Sequence, residues 1–359
     1  MGAFMASLVP EVLDRLSLTH DLVSTIRAIG EGKGKQDLFQ ERAPDVLENL
    51  RQVAIIESTE SSNRLEGVTV PRTMLERLVD GAEPSAGNRS EGEIAGYRYV
   101  LGLIHERQEY IELTPNIIRQ LHRDLFRYTG VSGGEWKRGD NSITERRPDG
   151  TVFVRFQPTP AWQTDEAMRE LQSNYVASAD TDVDPLILVA LYILDFLCVH
   201  PFSDGNGRMV RLLSVLLLYR EDYNVVRYVS LERLIEQSKD SYYDTLYRSS
   251  QGWHLNKHDP MPWVSYFLGV VSAAYTEFER GVGDLKDGRG MKTRMVLQAV
   301  EGMIGDFSIS ELHMRCPSVG WDMVRYVLRN EREAGRLEVV GKGRGSRWRR
   351  IDAIGEDGR

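Results

Sequence analysis

His200-Pro201-Phe202-Ser203-Asp204-Gly205-Asn206-Gly207-Arg208-Met209-Val210-Arg211 joins two helical runs of the chain. The run before it, Pro185 to Val199, is apolar and interrupted only by Asp195. Asp184-Pro185 opens it, with the acid as N-cap and proline at the first helical position. It is too short to span a bilayer, which takes about 20 apolar residues, so it reads as a buried helix. It ends at His200-Pro201. A second helix begins near Gly207 and carries Arg208, Arg211, Leu212, Val215 and Leu216, leaving Phe202 to Asn206 as a short loop. A mainly α fold follows, built around two core helices and the turn between them.

The turn carries chemistry. A histidine at the end of a buried helix is held rigidly. Glycines on both sides of Asn206 let backbone N–H groups converge, and a helix N-terminus adds partial positive charge, which together make an anion site. Arg208 and Arg211 are three apart and share a helix face. Asp204 is a hard oxygen ligand suited to Mg²⁺ bound with phosphates. A phosphate cradle, a metal ligand and a candidate general base within twelve consecutive positions are the parts of a phosphoryl or nucleotidyl transfer site. The chain has no Walker A loop to supply another phosphate site.

Working outward, Pro44 and Asp45 open a helix along Val46, Leu50, Val53 and Ile56 that runs toward Ser62 and stops near Gly67. Residues 82–92 read as a loop on composition. Ile94, Tyr97, Val100, Leu101 and Ile104 mark one helix, and Pro115 to Phe126 another. Between Ser132 and Pro160, the turn Pro148-Asp149-Gly150 followed by Thr151 to Phe156 predicts a β-hairpin. Residues 281–290 read as a linker. Beyond it are helices over about 292–304, after Ser308 with Glu311 at capping-box spacing, and over about 319–334, then strands at Leu337 to Val340 and Arg347 to Ile351. Three helices and a two-stranded wing are similar to a winged-helix domain. The expected division is 1–88, an N-terminal helical region; 89–280, the domain holding the turn; 281–290, the linker; and 291–359, the winged-helix-like α+β domain.

The 359 residues are 41% hydrophobic and 27% charged, enough for two or three domains with ordinary cores. A net charge of −8 argues against a chain that coats nucleic acid or membrane as a whole. Two distant cysteines, Cys198 and Cys316, build neither a disulfide framework nor a thiolate metal site. The N-terminus does not read as a signal peptide, and a cytoplasmic location without membrane contact is expected. From Arg336 to Arg350 the basic residues Arg336, Lys342, Arg344, Arg347, Arg349 and Arg350 face one acid, Glu338, which raises DNA as a partner of the C-terminal domain.

The turn resembles the Fic motif, His-x-Phe-x-Asp/Glu-Gly-Asn-Gly-Arg-x-x-Arg, at every defined position. Leu121 to Phe126, Gly134-Glu135-Trp136-Lys137, Asn141-Ser142-Ile143 and Phe156-Gln157-Pro158 resemble the helix and the "flap" hairpin that precede it in that family. The likeness covers roughly 45–280. It implies the Fic helical fold and AMP transfer from ATP to Ser, Thr or Tyr hydroxyls of a target protein or of the chain itself. His200 would be the base, Asp204 would hold Mg²⁺, and Gly205, Asn206 and Gly207 would form the anion hole. Arg208 would neutralise pyrophosphate and Arg211 would meet the γ-phosphate. The flap residues Asn141, Ser142 and Ile143 would dock the target, and Tyr243 would lie near adenine. Kinase-like members carry lysine where this chain has Gly207, so AMP transfer is favoured over phosphate transfer; phosphocholine transfer stays open. Ser62-Asn63-Arg64-Leu65-Glu66-Gly67 resembles the family's inhibitory motif, Ser/Thr-x-x-x-Glu-Gly/Asn. Glu66 would pair with Arg211 and block productive ATP binding, or activate water to remove AMP from a modified protein. Implied partners are ATP, the target protein and, since many members pair, a second copy of the chain. The competing expectation is a DNA-binding regulator that uses this domain as a sensor.

Overall fold

The computed structural model describes residues 7–351 apart from 43, 147–149, 284–290, 302, 304, 317–318 and 342–345. Asp184 accepts from the Leu186 amide at 2.9 Å and Pro185 fills the first turn of the Pro185–Val199 helix. Every residue from Leu186 to Phe196 is buried. A helix apolar on all sides has to lie inside a bundle. The Asn206–Arg220, Thr164–Ser178 and Met261–Gly283 helices enclose it. The Arg89–Arg107 helix packs across Asn206–Arg220 and buries Ile94, Tyr97, Val100, Leu101 and Ile104, the positions its periodicity marks. The chain is mainly α.

Composition misplaces one boundary. Residues 82–92 read as loop, but a helix starts at Arg89. Asn88 caps it, accepting from the Glu91 amide at 3.2 Å, while Glu91 takes the Asn88 amide group and the Ser85 N–H. Polar residues that look like a loop are here a helix cap.

The N-terminal helices are not a separate layer. His20–Arg42 lies along Met261–Gly283, and Pro44–Leu65 lies against Arg89–Arg107 and Leu231–Gln237. Leu22, Ile29, Leu47 and Leu65 belong to the same apolar core as Val189, Phe196 and Leu213. Ser7 is bound to Asp195 of the central helix through its amide (2.7 Å) and hydroxyl (2.5 Å), with Trp253 Nε1 (2.7 Å) donating to the same carboxylate. His258 Nε2 lies 2.8 Å from the Ser7 hydroxyl. Serine, histidine and aspartate thus meet, but the carboxylate touches serine rather than imidazole, and all three are buried. That is a structural tie and not a nucleophile–base–orienter chain. Burial pushes the Asp195 carboxyl up to about 7, against the pull of the Ser7 and Trp253 hydrogen bonds.

Ile143–Arg146 pairs antiparallel with Val152–Phe156, with Thr144 opposite Val154 and a register shift between Ile143 and Thr144. Pro148-Asp149 of the expected turn lies outside the described residues. The Met261–Gly283 helix takes the first three residues of the expected linker, and 284–290 lie outside the described residues. The C-terminal unit has helices Met291–Glu301, Ile309–Met314 and Trp321–Glu333 followed by antiparallel Leu337–Val340 and Arg347–Arg350. The Ser308–Glu311 capping box is formed, with bonds of 3.1 and 2.5 Å. Val296, Phe307, Leu312, Val324, Leu328 and Trp348 form a core of its own. Arg315 joins this unit to the Pro44–Leu65 helix through Glu57 at 3.1 Å. No helix among the described residues is long and apolar enough to cross a membrane.

Candidate active site

The central helix stops because His200 turns left-handed (φ 50°) while its amide still bonds the Phe196 carbonyl at 2.8 Å. Glycine usually fills such a place, since a Cβ there costs about 1–2 kcal/mol. Histidine is therefore held in an uncommon backbone state. Asn206 folds the loop on itself. Its Oδ1 accepts from the Phe202 amide (3.0 Å) and its Nδ2 donates to the Phe202 carbonyl (2.7 Å). Phe202 is buried and stacks on the His122 ring, centroids 3.6 Å apart. Gly205 has φ 79°, and a Cβ on it would lie 2.8 Å from Phe126 Cε2. Both backbone and space demand glycine there.

The loop borders a cavity of about 270 Å³ that also takes in Glu66, Arg211 and Tyr243. The Asn206–Arg220 helix turns its N-terminus and positive dipole end toward this space, so an anion is favoured at Gly205 to Gly207. His200 also borders the cavity. Burial and the nearby Lys137 charge lower its pKa to about 4, against opposing contributions from the Leu197 carbonyl and Glu66. Its imidazole is neutral at pH 7 and free to take a proton.

Arg211 is 2% exposed and its guanidinium is engaged through Nε and Nη2. Nη2 donates to Glu66 Oε1 at 2.7 Å and to the Ser62 carbonyl at 3.0 Å, and Nε donates to Ser62 Oγ at 2.8 Å. Ser62 and Glu66 are four residues apart at the end of the Pro44–Leu65 helix, so both meet the same arginine. Burial works against the Arg211 charge, but the Glu66 carboxylate, with Tyr242 and Tyr97, holds its pKa above the ordinary value. A Cβ on Gly207 would collide with Glu66 Oε1, so the carboxylate lies directly over the loop.

Asp204 reaches the cavity with a side chain 54% exposed. Oδ1 accepts the Gly205 amide at 2.7 Å and Oδ2 meets Arg89 Nη2 at 2.9 Å. An exposed carboxylate beside an anion cradle fits Mg²⁺, which is usually held by one or two carboxylates plus substrate phosphates and keeps several waters. Arg208, expected at pyrophosphate, lies behind the loop, with Nη2 3.7 Å from Asp204 Oδ1. It is 2% exposed and paired with buried Glu93 at 2.8 Å, and does not border the cavity. A buried arginine beside a buried glutamate is bound there by mutual need for a counter-charge. Arg89 bridges Glu93 (2.6 Å) and Asp204, linking that pair back to the loop.

The flap residues divide. Ile143 borders the cavity. Asn141 points into the protein, donating to the Phe202 carbonyl at 3.1 Å and accepting from Lys137 Nζ at 2.9 Å. Ser142 donates to Gln157 Oε1 at 2.8 Å. Tyr243 borders the cavity on the Lys239–Ser250 helix. His254 stacks on Phe156 and bonds the Gln157 carbonyl at 2.8 Å, which is a loop role.

Sequence reasoning alone assigns no role to His122, Glu93, Arg89 or Lys137. His122 supports the loop from behind. Its Nδ1 accepts from the Gly134 amide (2.8 Å), so Nε2–H donates to the Asp204 carbonyl (3.0 Å). The only signal for it in the sequence is its position one helical turn before Phe126. Burial lowers its pKa to about 4, partly opposed by the Asp204 carbonyl. The folded pKa is below the ordinary 6.5, so the unfolded chain binds the extra proton between pH 6.5 and 4. Stability from this site is full above 6.5 and lost as pH falls through 4. Urea midpoints at pH 7 and pH 5 should therefore differ less in His122→Asn than in the parent; an unchanged difference would contradict a neutral buried His122.

The bundle presents a helix N-terminus, a neutral histidine and a carboxylate to one cavity, a set whose chemistry fits a phosphate. Residues 112–218 match the Fic/DOC family. The match covers this segment, under a third of the chain, and the chain is similar to that family through it. Proteins named protein adenylyltransferase Fic are similar to it. That of Culex quinquefasciatus is 25% identical over 246 residues, 67% of this chain and 43% of the relative. That of Drosophila willistoni is 26% identical over 307 residues, 82% of this chain and 56% of the relative. The chain thus spans about half the length of these relatives. A crystal structure of a Fic family protein from Desulfovibrio desulfuricans G20 shares the fold with a TM-score of 0.62 at 21% identity, covering 94% of this chain and 98% of that one. A Fic domain containing signaling protein from Bacteroides thetaiotaomicron gives 0.59 at 23% identity, covering 72% and 97%.

Proposed function

We propose that the chain transfers AMP from ATP to Ser, Thr or Tyr hydroxyls of a protein, itself included, and that Glu66 holds the reaction in check. The observation that carries this reading is the Arg211–Glu66 pair, 2.7 Å long, lying across the cavity that His200 and the Gly205–Gly207 loop border. The adenylyltransferase relatives support it. His200 accepts the proton of the target hydroxyl, whose oxygen attacks the α-phosphorus. The bond to the bridging oxygen breaks and pyrophosphate leaves. Backbone amides at the helix N-terminus hold the phosphates, and Arg211, once released from Glu66, meets the terminal one. Asp204 would hold Mg²⁺, which supplies charge neutralisation on the phosphates. Arg208 supports Asp204 directly, across 3.7 Å, and through Glu93 and Arg89. Tyr243 lines the adenine side, and Ile143 lies where a target strand would add to the flap. Glu66, facing the same cavity, could also orient water for removal of AMP.

The test is the position of the label. With the Glu66→Gly chain, α-labelled ATP should leave label on protein and γ-labelled ATP should not. Label from the γ-position would mean phosphate transfer, and incorporation from CDP-choline alone would mean phosphocholine transfer. Either result overturns the proposal.

The DNA-regulator reading finds less support. Three of the wing's described arginines are locally paired: Arg336 with Glu331 (2.6 Å), Arg347 with Glu311 (2.7 Å) and Arg349 with Asp306 (2.6 Å). Lys342 and Arg344 lie outside the described residues. Charges already paired release fewer counterions on a phosphate backbone.

A further inference from the structure

Lys137 lies in the segment between the Pro115–Leu125 helix and the hairpin and is 3% exposed. Its backbone amide donates to the Pro201 carbonyl at 2.8 Å. Its ammonium donates to the Val199 carbonyl at 3.1 Å and to Asn141 Oδ1 at 2.9 Å. Asn141 in turn donates to the Phe202 carbonyl at 3.1 Å. One lysine therefore grips the residues immediately before and after His200, and through Asn141 the residue after those.

We propose that Lys137 is a positioning residue for His200, clamping Val199 and Pro201 so that the imidazole is held in its left-handed backbone setting and facing a fixed positive charge. The inference rests on the reading of His200 as the base. Two physical arguments support it. First, His200 sits at φ 50°, a state that a residue with a Cβ leaves unless its neighbours are fixed. Bonds to the carbonyls on both sides are the restraint required. Second, the ammonium is buried against neutral oxygens, an arrangement that costs stability compared with an apolar side chain of the same size. It is partly offset because Val199 is the last residue of a buried helix, where the carbonyl end of the dipole favours a cation. Burial lowers the Lys137 pKa to about 8, and Asp140 is the acid that opposes this.

The groups that act on the His200 ring come from three elements. Lys137 disfavours its protonated form from the flap side, Glu66 favours it from the Pro44–Leu65 helix end, and the Leu197 carbonyl favours it from its own helix. With burial, Lys137 prevails, and the base stays unprotonated and ready throughout the neutral range. Removing Lys137 leaves Glu66 and the carbonyl unopposed by any charge.

The experiment compares Lys137→Met, Lys137→Arg and Asn141→Ala, each in the Glu66→Gly chain so that transfer is measurable; the ring titration is repeated with Glu66 intact. The His200 ring titration is read by NMR, and kcat and the KM for ATP are read with labelled ATP. In the chain with Glu66, Lys137→Met should move the His200 pKa from about 4 toward the ordinary 6.5, and Lys137→Arg should leave it near 4. Lys137→Met should lower kcat roughly tenfold to a hundredfold, the cost of a misplaced catalytic group, with KM changed by no more than about twofold. Lys137→Arg should recover most of kcat. Asn141→Ala removes the bridge but not the charge, so kcat should fall while the ring titration stays put. An unmoved His200 titration in Lys137→Met, or parental kcat in both Lys137→Met and Asn141→Ala, overturns the proposal. The ring titration needs no transfer activity, so it tests the role of Lys137 even if the AMP-transfer reading fails. If the methionine variant does not fold, kcat of Asn141→Ala carries the test, and a parental value overturns the proposal.

Discussion

Replacing Glu66 with glycine should raise incorporation of labelled AMP into the chain roughly tenfold to a hundredfold, the scale on which small misplacement of a reacting group acts. The carboxylate occupies Arg211 Nη2 at 2.7 Å and fills the place where a Cβ on Gly207 would be. It therefore blocks both a cation for phosphate and the space above the anion loop. The same substitution should weaken the fold. Arg211 keeps its Ser62 bonds but loses its counter-charge, which costs about 3–5 kcal/mol in a fully buried pair. Glu66 is 33% exposed, so roughly 1–3 kcal/mol is the expectation here. ATP with Mg²⁺ should restore part of that loss, because a ligand that binds only the folded chain stabilises it by about 2.7 kcal/mol at a hundred times its Kd. Greater activity with lower intrinsic stability is a paired signature. Equal incorporation by the two chains would show that Glu66 is not a brake.

His200→Ala in the Glu66→Gly chain should lose about 10²- to 10⁴-fold in transfer rate, the usual contribution of a positioned general base. Thermal stabilisation by ATP should remain, since His200 holds none of the phosphates in this arrangement. His200→Gly is the companion. It relieves the left-handed strain at φ 50° and should be the more stable of the two, yet equally inert. Retention of activity to within about tenfold in either variant would place the base elsewhere. Between pH 6 and 8 the rate of the parent should not show the titration of an ordinary histidine, because the depressed pKa of about 4 keeps the ring neutral there.

What the sequence makes legible is what local order determines. The Asp184-Pro185 start, the Ser308–Glu311 box and the stop at Gly67 (φ 76°) are set by residues within a few positions of each other. The active-site loop is legible because its parts are contiguous. The partners that restrain it are not. Glu93 meets Arg208 across 115 positions, and Lys137 meets Val199 across 62. No periodicity or cap connects such residues; only the packed bundle does. The arginine at 208 shows the consequence. Read along the helix it shares a face with Arg211, and its pairing with Glu93 on another helix is visible only in the fold. The same holds in the C-terminal unit, where Asp306 pairs with Arg349 from 43 positions away. Residues 82–92 fail for a different reason. A loop and a helix cap use the same polar alphabet, and only the Asn88–Glu91 exchange distinguishes them.

Leu22, Ile29, Leu47 and Leu65 share their core with Val189 and Leu213 of the two helices that flank the loop. On the proposed reading, an inhibitory element built this way is not a plug that can be clipped off or swung aside. Trimming the chain up to Glu66 would strip the bundle of one wall and leave its oily interior facing water. On that reading the off-state is lifted most simply by rotation of one side chain about its own bonds. Its natural antagonist is whatever makes that single rotamer unfavourable, whether a phosphate arriving at Arg211 or a nearby charge that draws the carboxylate away.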